Sequence, residues 1–188
     1  MMKTMKMMTR MTRKKKTKMS NYENAIEIKG LTKKYDGFTL DDISFDVPKG
    51  SVMGFIGQNG AGKTTTIKAI FNIISRDAGT IKVLGLDNIE NEYEIKEDVA
   101  AVFDELPFHE EFNAKQISIV LSSVFKNWDN EKFKELLTRF ALPEKKKIKQ
   151  FSKGMKMKLQ IATELSHDAK IILMEETTTG LDPVVRNE

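Results

Sequence analysis

The sequence predicts an α/β fold, and three patterns along the chain lead to that prediction. Residues 25–47 alternate apolar and polar side chains, which is typical of half-buried strands. A short apolar strand at 51–56 runs directly into a glycine-rich loop and then into a segment with helical spacing. Amphipathic helical segments separate this part from a late buried strand. We therefore expect an α/β core with an N-terminal antiparallel β subdomain and an inserted α-helical subdomain at about 105–165.

The composition is that of an ordinary folded domain. Hydrophobic residues make up 40% of the 188 residues and charged residues 31%, as in soluble globular proteins. The sequence contains no cysteine, which excludes a disulfide scaffold, a thiolate zinc site and a cysteine nucleophile. No apolar run approaches the roughly 18 residues that a membrane-spanning helix needs. We therefore expect any connection to a membrane to go through a partner.

Residues 1–22 differ from the rest in charge. They hold eight basic residues, no acidic residue and seven of the eleven methionines. Without those eight, 23 basic residues face 27 acidic ones, so the folded part gives no case for nucleic-acid binding. We expect 1–22 to be a disordered tail or an upstream extension, followed by one domain at 23–188. A basic arm that touches anionic lipid or RNA is the alternative.

The elements follow in a clear order. Strands at 25–47 end in the turn Pro48-Lys49-Gly50, and the apolar strand before the glycine-rich loop comes next. After the loop we predict a helix at 63–74 and strands at 80–84 and 99–103. Three amphipathic helices are expected around 117–124, 133–140 and 153–167, and a buried strand at 171–174 ends in two glutamates.

The glycine-rich loop fits the pattern G-x-x-x-x-G-K-[ST] in full between Gly57 and Thr64. Its glycines let backbone N–H groups point at phosphate oxygens, and the following helix adds its positive N-terminal end. Lys63 would give charge to the β- and γ-phosphates, and the Thr64 hydroxyl is placed to ligate Mg²⁺. The sequence therefore predicts a nucleotide site made of Gly57, Asn59, Gly60, Ala61, Gly62, Lys63, Thr64 and Thr65.

The loop alone does not distinguish kinases, GTPases and ATPases, but two later segments do. Phe151-Ser152-Lys153-Gly154-Met155 and Gly180-Leu181-Asp182-Pro183 resemble the signature and the Walker B–D-loop region of ABC ATPases. Together with the phosphate loop, the resemblance covers about 25–188. The more detailed residue pattern is similar to that of a bacterial exporter subgroup of the Ytr-like kind. It implies a P-loop NTPase core of the RecA-like type, ATP hydrolysis, and ATP and Mg²⁺ as cofactors.

The resemblance also implies roles in binding ATP. Tyr35 lies where the family stacks an aromatic ring on adenine, although a half-buried tyrosine at a strand end is the alternative. Ser152 and Gly154 would hold the γ-phosphate of ATP bound on the opposite subunit, which implies a homo- or heterodimer of ATPase domains. Asp182 matches the D-loop acid that joins the two halves, and it also fits a helix N-cap.

A further set of acids would act on the metal and the attacking water. Glu176 matches the catalytic glutamate, which accepts a proton from the water that attacks the γ-phosphorus. Asp104 and Glu175 would join Thr64 around Mg²⁺. A solvated acidic pair is the alternative for Glu175 and Glu176.

Four positions depart from the family pattern. Glu175 stands in place of an aspartate, Thr177 in place of a proline, Asp104 in place of a glutamine and Lys153 in place of a glycine. Because small misplacements are costly in catalysis, we expect binding with slow hydrolysis. Only five residues follow Pro183, which indicates an ATPase that is incomplete at its C-terminus. His109 and His167 are expected at the surface.

These observations predict the ATP-binding subunit of an ABC transporter. Its partner would be a polytopic membrane subunit, its location the cytoplasmic face of the cell membrane, and its direction export. No nucleic-acid partner is expected. Two alternatives remain open: a soluble ABC ATPase that acts on ribosomes or nucleic acid, and a truncated nucleotide binder with little activity.

Overall fold

A computed structural model describes residues 3–9, by their backbone, and residues 22–103 and 106–175 in full. The chain divides into two compact units, Met1–Val99 with Lys170–Met174 and Ala100–Ala169 with Glu175–Glu188. The strands are β1 (Lys3–Thr9), β2 (Asn24–Tyr35), β3 (Phe38–Pro48), β4 (Val52–Gly57), β5 (Ala78–Val83), β6 (Leu86–Asp87), β7 (Val99–Val102) and β8 (Ile171–Met174). The helices are α1 (Lys63–Ile70), α2 (Glu92–Asp98), α3 (Ala114–Val124), α4 (Asn130–Arg139) and α5 (Lys153–Leu165), with a 3₁₀ turn at Ile148–Gln150.

The first sheet of the first unit is antiparallel throughout, with the strand order β3-β2-β5-β6. Ile28 of β2 lies opposite Phe45 on one side and Ile81 on the other. Alternate residues of β2 point into the core, where Ile26 and Ile28 are at most 1% exposed. This sheet confirms the predicted antiparallel β subdomain.

A second sheet has the order β4-β1-β8-β7. β1 pairs antiparallel with β4, from Met8 opposite Val52 to Lys3 opposite Gly57. It also pairs antiparallel with β8, from Thr9 opposite Ile171 to Lys6 opposite Met174. Since β4 and β8 are both antiparallel to β1, they run in the same direction.

The strand β1 corrects the prediction of a disordered tail for residues 3–9. That prediction was based on the composition of the segment, which is basic and rich in methionine. Composition does not report strand pairing, and the backbone N–H and C=O groups of β1 are satisfied by both neighbouring strands. The remaining residues of the tail, 1–2 and 10–21, lie outside the described residues.

The second unit contains α3, α4 and α5 packed around one apolar core. Its largest fully buried side chains are Ile117, Phe133, Ile148 and Leu159, each at most 1% exposed. The α3 N-terminus is closed by a capping box, in which the Gln116 N–H donates to Asn113 Oδ1 and the Asn113 N–H donates to Gln116 Oε1. Within the described part of the chain, no helix has both the length and the apolar character needed to cross a membrane.

Three local expectations differ from the structure. Helix α1 ends at Ile70 rather than at residue 74, because Asn72 takes a left-handed backbone conformation with φ of 54°. The sequence patterns missed α2 entirely. His167 is 1% exposed rather than at the surface, because its ring stacks on Phe125 with centroids 4.2 Å apart.

Candidate nucleotide-binding site

The phosphate loop connects β4 to α1. Two of its residues, Gly60 and Gly62, take left-handed backbone conformations with φ of 82° and 88°. The Ala61 N–H donates to the Gln58 carbonyl oxygen at 3.2 Å, so the chain turns back on itself. Residues 58–61 are all exposed. The loop therefore forms a curled backbone that faces solvent.

The two glycines meet different surroundings. A Cβ atom on Gly62 would lie 2.5 Å from Leu40 Cδ1 and 3.3 Å from Phe38 Cζ, whereas one on Gly60 would meet nothing within 4 Å. Gly62 is thus packed tightly against β3, while Gly60 borders open space. This arrangement anchors one side of the loop and leaves the other side open to a ligand.

Helix α1 begins immediately after the loop with no side-chain cap and no acidic residue in its first turn. The backbone N–H of Thr66 and its hydroxyl both donate to the Gly62 carbonyl, at 2.8 and 2.9 Å. Because no side chain caps this helix N-terminus, its positive end is available to an anion.

Lys63 lies across the mouth of the loop. Its Nζ donates to the Gly57 and Gln58 carbonyl oxygens, each at 2.7 Å. Hydrogen bonds from an ammonium to charged phosphate oxygens are stronger than those to neutral carbonyls. A bound phosphate group would therefore draw Lys63 away from these two carbonyls.

An aromatic pair lies beside the loop. Tyr35 is 44% exposed, and its ring stacks on Phe38 with centroids 6.4 Å apart and an angle of 25° between planes. Phe38 also approaches Gly62, as described above. Sequence reasoning identified Tyr35 and missed Phe38. The Asp36-Gly37 turn could have identified Phe38 from the sequence, because this turn places residues 35 and 38 opposite each other in register.

The strand end that carries Tyr35 is fixed by Asp77. The carboxylate accepts the Lys34 N–H at 2.7 Å and Lys33 Nζ at 3.0 Å. The backbone hydrogen bond from Lys34 is the first cause that lowers the pKa of Asp77, and the hydrogen bond from Lys33 is the second.

Asn88 is a second residue that sequence reasoning missed. It is 2% exposed, and its Nδ2 donates to the Ala69 and Ile70 carbonyls at 2.7 and 3.1 Å. Its Oδ1 accepts a hydrogen bond from Arg76. Asn88 therefore donates hydrogen bonds to the last carbonyls of α1 from a turn that is distant in sequence. No local sequence pattern predicts that contact.

The signature residues lie in the second unit, at the start of α5. Ser152 is the N-cap, and its Oγ accepts the Met155 N–H at 3.2 Å. Gly154 is half-buried in the first turn, and Phe151 is buried in the core of this unit. The predicted phosphate contact at Ser152 is therefore already a helix cap made by its own chain.

The predicted acidic residues are only partly described. Glu175 follows β8, is half-buried, and donates its backbone N–H to the Val102 carbonyl at 2.9 Å. Asp104, Glu176 and Asp182 lie outside the described residues, as does Thr177. The described residues contain no group of three or more His, Cys, Asp or Glu side chains that could hold a metal ion.

Gln160 of α5 holds the chain next to Asp104. It is 1% exposed, and its amide donates to the Phe103 carbonyl at 2.9 Å and accepts the Phe103 N–H at 3.1 Å. Both hydrogen bonds fix the backbone one residue before Asp104. A buried glutamine on the apolar face of a predicted helix was the signal that could have identified it.

Comparisons with known proteins agree with this geometry. Residues 40–179 match the family described as ABC transporter. The chain is 33% identical, over 87% of its length and 56% of the relative's, to the ABC transporter ATP-binding protein YtrB of Bacillus subtilis. It is 34% identical, over 87% of its length and 50% of the relative's, to the Nod factor export ATP-binding protein I of Mesorhizobium japonicum.

A solved structure titled as an ATP binding subunit of an ABC transporter has the same fold. It superposes with a TM-score of 0.72 at 23% identity, over 86% of this chain and 70% of that one. The chain spans about half the length of the curated relatives it matches. The family match over 40–179 and the identity to these relatives confirm the predicted recognition and the predicted α/β P-loop fold. This chain belongs to the ABC transporter family of ATP-binding proteins.

Proposed function

We propose that this chain is the ATP-binding part of an ABC transporter, which binds and hydrolyses MgATP to drive export through a separate membrane-spanning subunit. One observation carries the proposal. The phosphate loop is exposed to solvent at residues 58–61, has the Lys63 ammonium beside it and leads into a helix with no side-chain cap. The name of the Nod factor export relative supports the direction.

Different residues would bind the phosphates and the adenine of the nucleotide. Backbone N–H groups of the loop and the first turn of α1 would bind the phosphates, and Lys63 would move from the two carbonyls to the phosphate oxygens. The exposed ring of Tyr35, stacked on Phe38, would support the adenine. Thr64 and Thr65 follow Lys63 in the first turn and would complete the phosphate contacts.

The residues at hand suit Mg²⁺ chemically. A hydroxyl at Thr64 and carboxylates at Asp104 and Glu175 are the oxygen ligands that Mg²⁺ prefers, with substrate phosphates as further ligands. The open space beside Gly60 leaves room for such a phosphate group. Bound Mg²⁺ would neutralise phosphate charge as the γ-phosphoryl group is transferred.

Hydrolysis would need further residues of this chain and a second ATPase domain. Glu176 would accept a proton from the attacking water. Ser152 and Gly154 would contact the γ-phosphate held by a partner domain, and Asp182 would help join the two domains. Because Glu175 and Lys153 depart from the family pattern, we expect turnover well below that of typical members.

Binding of MgATP by the purified chain tests the proposal. We expect Lys63→Ala to weaken binding by tenfold or more, which corresponds to at least about 1.4 kcal/mol. Lys68→Ala is the matched control, because Lys68 is exposed in the last turn of the same helix. Calorimetric titration measures both. Equal affinities for the two variants would contradict the proposal.

A further inference from the structure

Strand β7 has an open edge. It lies at the end of the sheet order, so no strand in the described part of the chain pairs with its outer edge. On the other edge, the Val102 carbonyl accepts the Glu175 N–H at 2.9 Å. Hydrogen-bonding groups of neighbouring residues in a strand point to opposite edges, so those of Ala101 and Phe103 face outward. The groups on this open edge need other partners.

Two side chains of helix α5 supply those partners. The Gln160 amide donates to the Phe103 carbonyl at 2.9 Å and accepts the Phe103 N–H at 3.1 Å. Glu164 Oε2 accepts the Ala101 N–H at 3.1 Å. Four residues of a helix rise about 6 Å and two residues of a strand about 6.6 Å, so the two pairs align. Gln160 and Glu164 therefore hold β7 as an adjacent strand would.

The Glu164 carboxylate is itself held in place. His167 Nε2 lies 3.3 Å from the same oxygen, Oε2, and the His167 ring stacks on Phe125 with centroids 4.2 Å apart. Since a carboxylate only accepts hydrogen bonds, Nε2 is the donor. The side chains of His167 and Glu164 are 1% and 17% exposed. Burial and two donors thus restrict Glu164 to the position in which it binds Ala101.

The backbone held in this way supports Glu175. Val102 lies between Ala101 and Phe103, is 2% exposed and binds the Glu175 N–H through its carbonyl. A displacement of residues 101–103 would therefore move the backbone of Glu175. Because Mg²⁺ demands a near-octahedral geometry with ligands at about 2.0–2.1 Å, the position of each ligand matters.

We propose that Gln160 and Glu164 are positioning residues: by holding residues 101–103, they fix the backbone of Glu175, the proposed Mg²⁺ ligand. Neither residue lies in the phosphate loop, in the signature segment or in the acidic pair. Their effect on Mg²⁺ rests on the proposed ATP binding, whereas their contacts with β7 are tested without nucleotide.

Amide hydrogen exchange of the nucleotide-free chain tests these contacts. We expect the Ala101 and Phe103 amides, although they lie on an open edge, to exchange at least about 100-fold more slowly than in a free peptide. This measurement needs no variant, so it decides even where a variant does not fold. Exchange at the rate of the free peptide would overturn the proposal.

Replacement of Gln160 tests whether the contacts reach Glu175. Gln160→Met keeps the length of the side chain and removes both hydrogen bonds. We expect amide exchange to rise at least about tenfold at Phe103 and about threefold or more at Glu175, while Phe133 in the core of the same unit keeps its protection. Gln150→Met is the control, because Gln150 is exposed. Unchanged exchange at Glu175 would contradict the proposal.

Glu164 offers a conservative variant. Glu164→Gln keeps an acceptor oxygen for the Ala101 N–H, whereas Glu164→Leu removes it. We expect the leucine variant to resemble Gln160→Met in amide exchange and the glutamine variant to resemble the unchanged chain. Equal exchange in the two Glu164 variants would show that this hydrogen bond does not hold β7.

The affinity for ATP with and without Mg²⁺ tests the positioning role. A general structural defect would weaken binding in both conditions, whereas a displaced metal ligand would weaken binding of MgATP alone. We expect Gln160→Met to weaken MgATP binding about fivefold and to change ATP binding in EDTA by less than about twofold. Calorimetric titration measures both affinities.

Two results would overturn the positioning role: equal weakening in the two conditions, and no weakening in either. An unchanged chain that binds ATP in neither condition would overturn the proposed function, and the role assigned to Glu175 with it. Amide exchange distinguishes that failure from a failure of the contacts, because it reports the hold of Gln160 and Glu164 on β7 without nucleotide.

Discussion

Two helix N-termini in this molecule are predicted to meet phosphate, and they are built differently. Helix α1 starts after Gly62 with no side-chain cap and no acid in its first turn. Helix α5 starts at Ser152, whose hydroxyl already accepts the Met155 N–H at 3.2 Å. The first N-terminus is open to a ligand, and the second is closed by its own chain.

The two helix N-termini would therefore bind phosphate under different conditions. A helix end with a glycine N-cap gains from bound phosphate, because the phosphate displaces no N-cap side chain. At α5, a phosphate competes with an existing cap. We propose that the loop and α1 bind phosphate within this chain, whereas α5 would engage only a phosphate presented by another domain.

Filling the anchored side of the phosphate loop gives the largest expected effect. Gly62→Ala places a methyl group on a residue with φ of 88°, 2.5 Å from the buried Leu40 Cδ1. We expect a loss of about 3 kcal/mol in the free energy of unfolding, from overpacking and from the left-handed backbone. Urea denaturation measures it.

The control for this prediction is Gly60→Ala. Its φ of 82° is similar, but its methyl group would meet nothing within 4 Å. We therefore expect a loss of only about 1 kcal/mol. Equal losses for the two variants would show that contact with β3 does not fix the loop.

The next largest effect is expected at the opposite end of α1. Asn88→Ala leaves the Ala69 and Ile70 carbonyls and Arg76 without their buried amide partner. We expect a loss of about 2 kcal/mol in the free energy of unfolding. Thermal or urea unfolding checks it, with Asn91→Ala as control because the Asn91 amide makes one hydrogen bond, to the Asp87 carbonyl. A loss no larger than that of the control would show that α1 does not depend on this cap.

A smaller effect is expected at the closed N-terminus of α5. Ser152→Ala removes the cap and is expected to cost about 1 kcal/mol of stability. Ser152→Gly is expected to cost only a few tenths of a kcal/mol, because glycine is a tolerated N-cap. The urea concentrations at the midpoints of unfolding distinguish the two variants. If neither variant changes the midpoint, the serine cap contributes nothing to α5.

The smallest effect concerns pH and the segment that leads into α5. Hydrogen bonds from Lys147 and then Lys149 lower the pKa of Glu111 from 4.5 to about 2. Because the pKa of Glu111 is lower in the folded state than in the unfolded state, this carboxylate stabilises the protein at pH values above its unfolded pKa of 4.5. That stabilisation is lost as the pH falls from about 4.5 to about 2.

Replacement of the glutamate tests this pH range. We expect Glu111→Gln to lower the melting temperature slightly at pH 7, and the difference from the unchanged chain to shrink as the pH approaches 2. Glu135→Gln, at an exposed position on α4, is the control. A difference that is constant with pH would contradict the role of the two lysines.

The phosphate loop could be predicted from the sequence because its determinants are local. Gly60 and Gly62 supply the left-handed backbone, and Lys63 lies next to the loop in sequence. The antiparallel sheet was predicted for the same reason, since alternation within β2 and β3 is a short-range pattern. Each of these features depends on neighbours along the chain.

The features that escaped prediction depend on contacts between distant residues. Asn88 caps α1 from 18 residues away, and Gln160 holds the backbone at Phe103 from another helix. His167 is buried because Phe125 covers it. The strand at Lys3–Thr9 exists through pairing with β4 and β8. Composition reports none of these contacts, because each one is made only in the folded chain.

Titration of the chain with MgATP tests whether the loop and α1, without α5, supply the phosphate site. The unchanged protein, Lys63→Ala and Ser152→Ala are compared at a protein concentration below that of dimer formation. We expect Lys63→Ala to raise the dissociation constant tenfold or more, and Ser152→Ala to change it by less than about twofold. Equal weakening by both substitutions, or no binding by the unchanged chain, would contradict this expectation.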